Sequence, residues 1–125
     1  MDSTIGSDMF LQFSTVLVNL KLFHLTTDSY VMHKNSDTLY SDLSENFDLL
    51  METYSGKYGK IKLSDSNIEI DQTTKPEIVN YISLILKYID SFISKFDSVK
   101  DSDLCTILDN IKISMNKFIY FSAFS

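Results

Sequence analysis

Arginine and tryptophan are absent from the sequence, and cysteine occurs once, at Cys105. A lone cysteine excludes an internal disulfide, and there is no Cys-x-x-Cys or mixed Cys/His zinc spacing. A reducing, cytoplasmic compartment is therefore expected. Only three glycines and one proline punctuate the 125 residues, which favours long unbroken helices. Positive charge is scarce. Eleven lysines face 17 acidic residues for a net charge of −6, and the first eight residues carry no lysine. No basic face or arm is on offer to a nucleic acid. The most apolar run, Met9 to Leu25, is broken by Gln12, Asn19 and Lys21, so neither a membrane span nor a signal peptide is expected. A Gly-rich phosphate loop is missing. Two histidines do not readily furnish a Ser/His/Asp site as well as a metal site.

What is present is a chemical stripe on one helical stretch. His33 and Asp37 are four residues apart, and so are Asp48 and Glu52. With His33 at zero on a helical wheel, Asp37, Asp48 and Glu52 fall at about 40°, 60° and 100°. Asp37 and Asp48 are separated by about 16 Å of helix rise, so one metal ion cannot touch both pairs within one chain. The two pairs are, however, mirror-symmetric about a point between Asp42 and Leu43. An antiparallel copy of the same helix crossing there sets His33 and Asp37 opposite Glu52 and Asp48 of its mate. Two identical shared sites would result, the self-complementarity that a two-fold interface requires. Ser41 and Ser44 sit at the crossing, where small side chains allow close approach.

The spacing of apolar residues predicts four helices, over about 7–25, 30–54, 76–99 and 102–122, in a single all-α domain. The first is capped by Ser7 or Asp8 and carries Phe10, Phe13, Leu17, Leu20 and His24 toward the core. The second buries Met32, Leu39, Leu43, Phe47, Leu50 and Tyr54, with the His/Asp/Asp/Glu stripe at its flank. The third opens with Pro76 in its first turn and aligns Ile78, Ile82, Ile85, Ile89, Phe92 and Phe96. The fourth aligns Leu104, Leu108, Ile111, Met115, Phe118 and Ser122. Between the second and third, residues 55–75 hold Gly56, Gly59 and two alternating segments, KIKL and IEID, around a Ser-Asp-Ser-Asn turn, which suggests a short hairpin. Short first and third links with a long second link describe a four-helix bundle with one crossover connection.

Imidazole and carboxylate together suit iron and related divalent metals. The carboxylates neutralise the cation and favour the ferric state, while the imidazole adds a neutral nitrogen. His24 could join His33 from the same chain, although between Phe23 and Leu25 it also reads as a core histidine with one hydrogen bond. The bland reading of the whole stripe is a solvated acidic face. Cys105 reads as inert packing. Tyr30, Tyr40 and Tyr54 read as packing residues before electron relays.

These residues resemble those of the Dps-type mini-ferritins, within the ferritin-like superfamily. The intervals of His33, Asp37, Asp48 and Glu52 reproduce that family's second helix. Phe23-His24 is similar to its Phe-His-Trp at the end of the first helix, and DSDLCTILDNIKISMNKFIYFSAF is similar to its last helix. The resemblance implies Fe(II) oxidation by peroxide or oxygen at a two-fold interface. It implies His24, His33, Asp37, Asp48 and Glu52 as ligands, with iron (Fe2+/Fe3+) or another divalent metal bound. It further implies a homodimer at least, and up to a twelve-subunit shell holding ferric mineral. FHLTTDSYVMHK and ETYSGKYGK also resemble small ferritin-like proteins encoded by phages and large DNA viruses, for which the location would be the host cytoplasm. Three features depart from the pattern. His24 and His33 are closer in sequence than in the family, Leu25 replaces the Trp, and no basic tail is present, so DNA binding is not carried over. The Glu-x-x-His motif of larger ferritins is missing, which disfavours an intrasubunit site. The rival expectation is a non-enzymatic helical dimer that serves as an interaction or structural module with a degenerate metal site.

Overall fold

The computed structural model describes residues 4–64, 66–71 and 73–125. Four helices account for most of them: α1 (Thr4–Thr26), α2 (Tyr30–Tyr58), α3 (Lys75–Ser94) and α4 (Ser102–Ser122). The protein is all-α, and no strand occurs among the described residues. No helix among them is long and apolar enough to cross a membrane.

Local chemistry sets the helix ends. The Ser29 hydroxyl accepts the Met32 N–H at 3.2 Å and caps α2. Thr74 caps α3 with a reciprocal pair: it accepts the Glu77 N–H and donates to the Glu77 carboxylate at 2.9 Å. Pro76 follows in the first turn, where its missing N–H costs nothing. The observed bounds differ from the predicted ones in three places. Helix α1 begins at Thr4, because Ile5 and Met9 extend its buried face; Ser7 is inside the helix and buried. Helix α2 runs on to Tyr58 and is stopped by Gly59, whose φ of 94° suits glycine and whose N–H returns to the Ser55 carbonyl. Helix α3 ends at Ser94, not 99, because the Asp97 carboxylate takes the N–H groups of Val99 and Lys100 into a turn.

Every apolar residue predicted inside α2, α3 and α4 is buried, and so is Phe96 in the link beyond α3. In α1 the phase differs. Phe13 and Leu20 are buried as expected and Phe10 and Leu17 partly so, but Ile5, Met9, Val16 and Phe23 also belong to the core.

Side-chain contacts fix the directions of the helices. Asn35, early in α2, donates to the Phe118 carbonyl and the Ser122 hydroxyl near the end of α4. Lys57, at the end of α2, meets Lys100 and Asp103 at the start of α4. Lys75, opening α3, reaches the carbonyl of Ser125. Helix α4 is thus antiparallel to both α2 and α3, so α2 and α3 run the same way. Ser64, Glu69 and Asp71 of the connection between them lie beside α1. The Ser64 N–H meets Ser7, and the Asn19 amide donates to the Glu69 carbonyl and accepts the Asp71 N–H, each at 2.9 Å. Asn19 takes over the pairing that a strand partner would have given, and no hairpin forms among the described residues. Asp65 of the Ser-Asp-Ser-Asn turn lies outside the described residues.

Candidate metal centre

His24 lies in the last turn of α1 and His33 in the first turns of α2, on either side of the Thr27–Ser29 link. The link is held tight: the Thr27 N–H reaches the Phe23 carbonyl and the Ser29 N–H reaches the Thr27 hydroxyl. The two imidazoles stack with centroids 3.9 Å apart and planes 20° from parallel. Each ring then binds the other residue's backbone. Nδ1 of His24 is 2.8 Å from the His33 carbonyl, and Nδ1 of His33 is 2.8 Å from the His24 carbonyl. A carbonyl oxygen can only accept, so both Nδ1 atoms carry the proton. In the neutral rings both lone pairs are therefore on Nε2, and neither Nε2 has a hydrogen-bond partner among the described residues. This is how a metal-binding histidine is oriented by its second nitrogen. The contact also satisfies the His24 carbonyl, one of the last four of α1 and without an intrahelical partner.

Both histidines are half-buried. Tyr30 lies alongside His33, ring centroids 6.4 Å apart, and the Lys34 ammonium is over Tyr30 at 5.9 Å. Asp37, one turn beyond His33, is exposed, as are Asp48 and Glu52 further along the same face. The structure thus brings His24 to His33 and leaves Asp48 and Glu52 far from them in the same chain. Among the described residues, no three His, Cys, Asp or Glu side chains of one protomer converge as a metal site requires. The imidazole half fits a borderline metal ion; a single chain does not complete it.

A second polar centre, unforeseen from the sequence, joins α2 to the α3–α4 link. Asp101 is buried, with 1% of its surface exposed. Its carboxylate accepts the Tyr58 hydroxyl, the Asp97 N–H at 3.1 Å, and the Lys57 ammonium at 3.3 Å. Burial pushes this carboxyl upward, but the donors together outweigh it and hold Asp101 below the ordinary carboxylate value. Lys57 is held above its usual value, chiefly by its hydrogen bond to Asp103, and Tyr58 above its own by donating to Asp101. The sequence offered one signal for this cluster, the Asp-rich start of α4. Cys105 is half-buried and its thiol is pushed up by that burial, in keeping with an unreactive packing role.

Fold and side chains thus define a small four-helix protein with a histidine clasp at the α1–α2 turn. The chain belongs to the family of unknown function DUF5856, whose profile matches residues 24–121 and so spans all five candidate ligands. No curated protein and no solved structure matches it.

Proposed function

We propose that this protein is a Dps-like iron-binding protein that oxidises Fe(II) with peroxide or oxygen at sites shared between two copies. The observation that carries this reading is the reciprocal His24–His33 clasp. It holds each imidazole through Nδ1 and leaves the lone pair on Nε2, with the Asp37 carboxylate one helical turn beyond His33. Asp48 and Glu52 of an antiparallel mate would supply the remaining donors, which explains why one protomer holds no three-ligand set. Iron is here the substrate. The carboxylates would offset its charge and favour the ferric product, and the clasp would hold the imidazoles without any ordering step on binding. The parallel run of α2 and α3 supports a ferritin-like topology for the bundle. If copies close into a shell, the product would be stored as mineral; if only dimers form, iron would be bound and detoxified without storage.

The test is the rate of Fe(II) loss in the presence of peroxide. Wild type should clearly exceed both Asp48→Ala/Glu52→Ala and His24→Ala/His33→Ala. Equal rates in all three would overturn the reading and favour the non-enzymatic interaction module. That rival draws on one observation, a set of exposed aromatic residues, Tyr30, Tyr120, Phe121 and Phe124, at the end of the bundle where α2 begins and α4 ends.

A further inference from the structure

The two alternating segments of the α2–α3 connection, KIKL and IEID, are complementary in sequence and unpaired in the protomer. Ser64 meets Ser7, and Glu69 and Asp71 meet Asn19. Those two positions on α1 are about 18 Å apart along the helix. Lys60–Leu63 and Ile68–Asp71 thus lie end to end, not side by side. Lys60, Lys62, Glu69 and Asp71 are exposed, and none of them forms an ion pair among the described residues. Leu63, Ile68 and Ile70 are exposed as well. Backbone direction is the second observation. In extended chain, successive residues turn their N–H and C=O groups to opposite edges. The Ser64 N–H, the Glu69 carbonyl and the Asp71 N–H are taken by α1. The backbone groups of Ile61, Leu63, Ile68 and Ile70 therefore face the other edge, and none of them makes a hydrogen bond among the described residues. Such an edge is a template for another strand.

We infer that this edge pairs with the same edge of a second copy, antiparallel about a two-fold axis. Lys60, Ile61, Lys62 and Leu63 of one copy then stand opposite Asp71, Ile70, Glu69 and Ile68 of its mate. Symmetry repeats the set with the roles exchanged. Each lysine meets a carboxylate and each aliphatic meets an aliphatic. The aliphatic pairs are also the ones whose backbone groups face the edge, which is how an antiparallel ladder alternates its bonded pairs. The register is specified, because a slip of one residue sets Lys60 against Ile70 and Ile61 against Glu69. A free two-stranded ribbon is marginal in water. Here Ser64, Glu69 and Asp71 already tie each strand to α1, so pairing costs less chain entropy than in a free peptide. The pairing needs no metal and no residue of α2, so it stands or falls separately from the shared site proposed above.

The experiment is sedimentation velocity on the full chain in EDTA, over a concentration series, with two charge-reversed variants. Lys60→Glu/Lys62→Glu makes all four charged positions acidic, and Glu69→Lys/Asp71→Lys makes all four basic. Wild type should form a concentration-dependent dimer. Each variant alone should associate at least about tenfold more weakly. An equimolar mixture of the two should regain the wild-type affinity, because every reversed charge then meets its opposite on the mate. A hairpin closed within one chain gains nothing from mixing, nor does docking of an unrelated strand. Amide exchange at Ile61, Leu63, Ile68 and Ile70 of wild type should slow as the dimer forms, a readout that holds even if a variant does not fold. The inference is overturned by a wild type that stays monomeric throughout, by a dimer that both reversals leave intact, or by a mixture no tighter than its components.

Discussion

Replacing Asp101 with Asn tests whether the buried carboxylate holds the lower end of the bundle together. The substitution keeps the shape and removes the charge. Asp101 accepts from Tyr58 and from the Asp97 N–H on its two oxygens, and Lys57 approaches the first of these. A hydrogen bond to a charged group contributes roughly 1 kcal/mol more than a neutral one, so two weakened bonds lose about 2 kcal/mol. The new amide must also turn one N–H toward a donor, Tyr58 or the Asp97 N–H, and an opposed donor pair adds about 1 kcal/mol or more. The total is about 3 kcal/mol, which for a domain of this size lowers Tm by about 10 °C. Urea melts followed by circular dichroism measure it directly.

The pH dependence gives a sharper check. The folded Asp101 carboxyl lies below its unfolded value, so its contribution is complete above about pH 4–5 and is lost as pH falls through the folded pKa. Tyr58 and Lys57 are shifted the other way, so their contribution is complete below about pH 10 and fades at higher pH. Wild type should therefore be most stable across a plateau from about pH 5 to 9. Its advantage over Asp101→Asn should be constant there and shrink toward pH 3. An advantage undiminished at pH 3, or one near zero at pH 7, would refute the assignment of the carboxylate as the anchor.

Gly6→Ala should destabilise by about 1–3 kcal/mol, because the new Cβ would fall 2.6 Å from the buried Tyr54 ring; a thermal melt equal to wild type would contradict that packing. Tyr81→Phe should be neutral or stabilise by up to about 1 kcal/mol, since its buried hydroxyl makes no well-formed hydrogen bond among the described residues and the Asn19 amide near it is already engaged with the backbone. Burial there pushes the phenol up to about 12, so the variant's alkaline titration should lose tyrosinate absorbance only around that pH and leave the ordinary tyrosine range unchanged.

Helices α2, α3 and α4 were legible because each buries one face, and a single stripe of Ile, Leu, Met and Phe at helical spacing marks it. Helix α1 was read out of phase for the opposite reason. It is covered by the bundle on one side and meets Ser64, Glu69 and Asp71 on another, so its apolar and small residues spread around the helix; buried Ser7 and Asn19 serve that second contact. The alternation of KIKL and IEID suggested a hairpin, but period alone does not name the partner: IEID meets the Asn19 side chain of α1 instead. Asp101 was hidden because an acid at a helix start is usually a solvated cap, and only the tertiary approach of Tyr58 and Lys57 buries it.

The histidines were legible only in part. Between Phe23 and Leu25, His24 read as a core histidine with one hydrogen bond, and it is half-buried with Nδ1 on the His33 carbonyl; the reciprocal bond from His33 across the three-residue link had no signal in the sequence. The clasp also bears on the proposed chemistry. Fixing an exposed imidazole for a ligand normally costs side-chain entropy. Here both rings are already fixed by folding, and the carboxylates of the α2 face stand on one continuous helix. Little remains to be ordered when two copies meet, so charge rather than flexibility should limit the encounter. A shared site of this kind should accordingly respond only weakly to substitutions at Ser64 or Glu69, whose backbone groups meet Ser7 and Asn19 of α1.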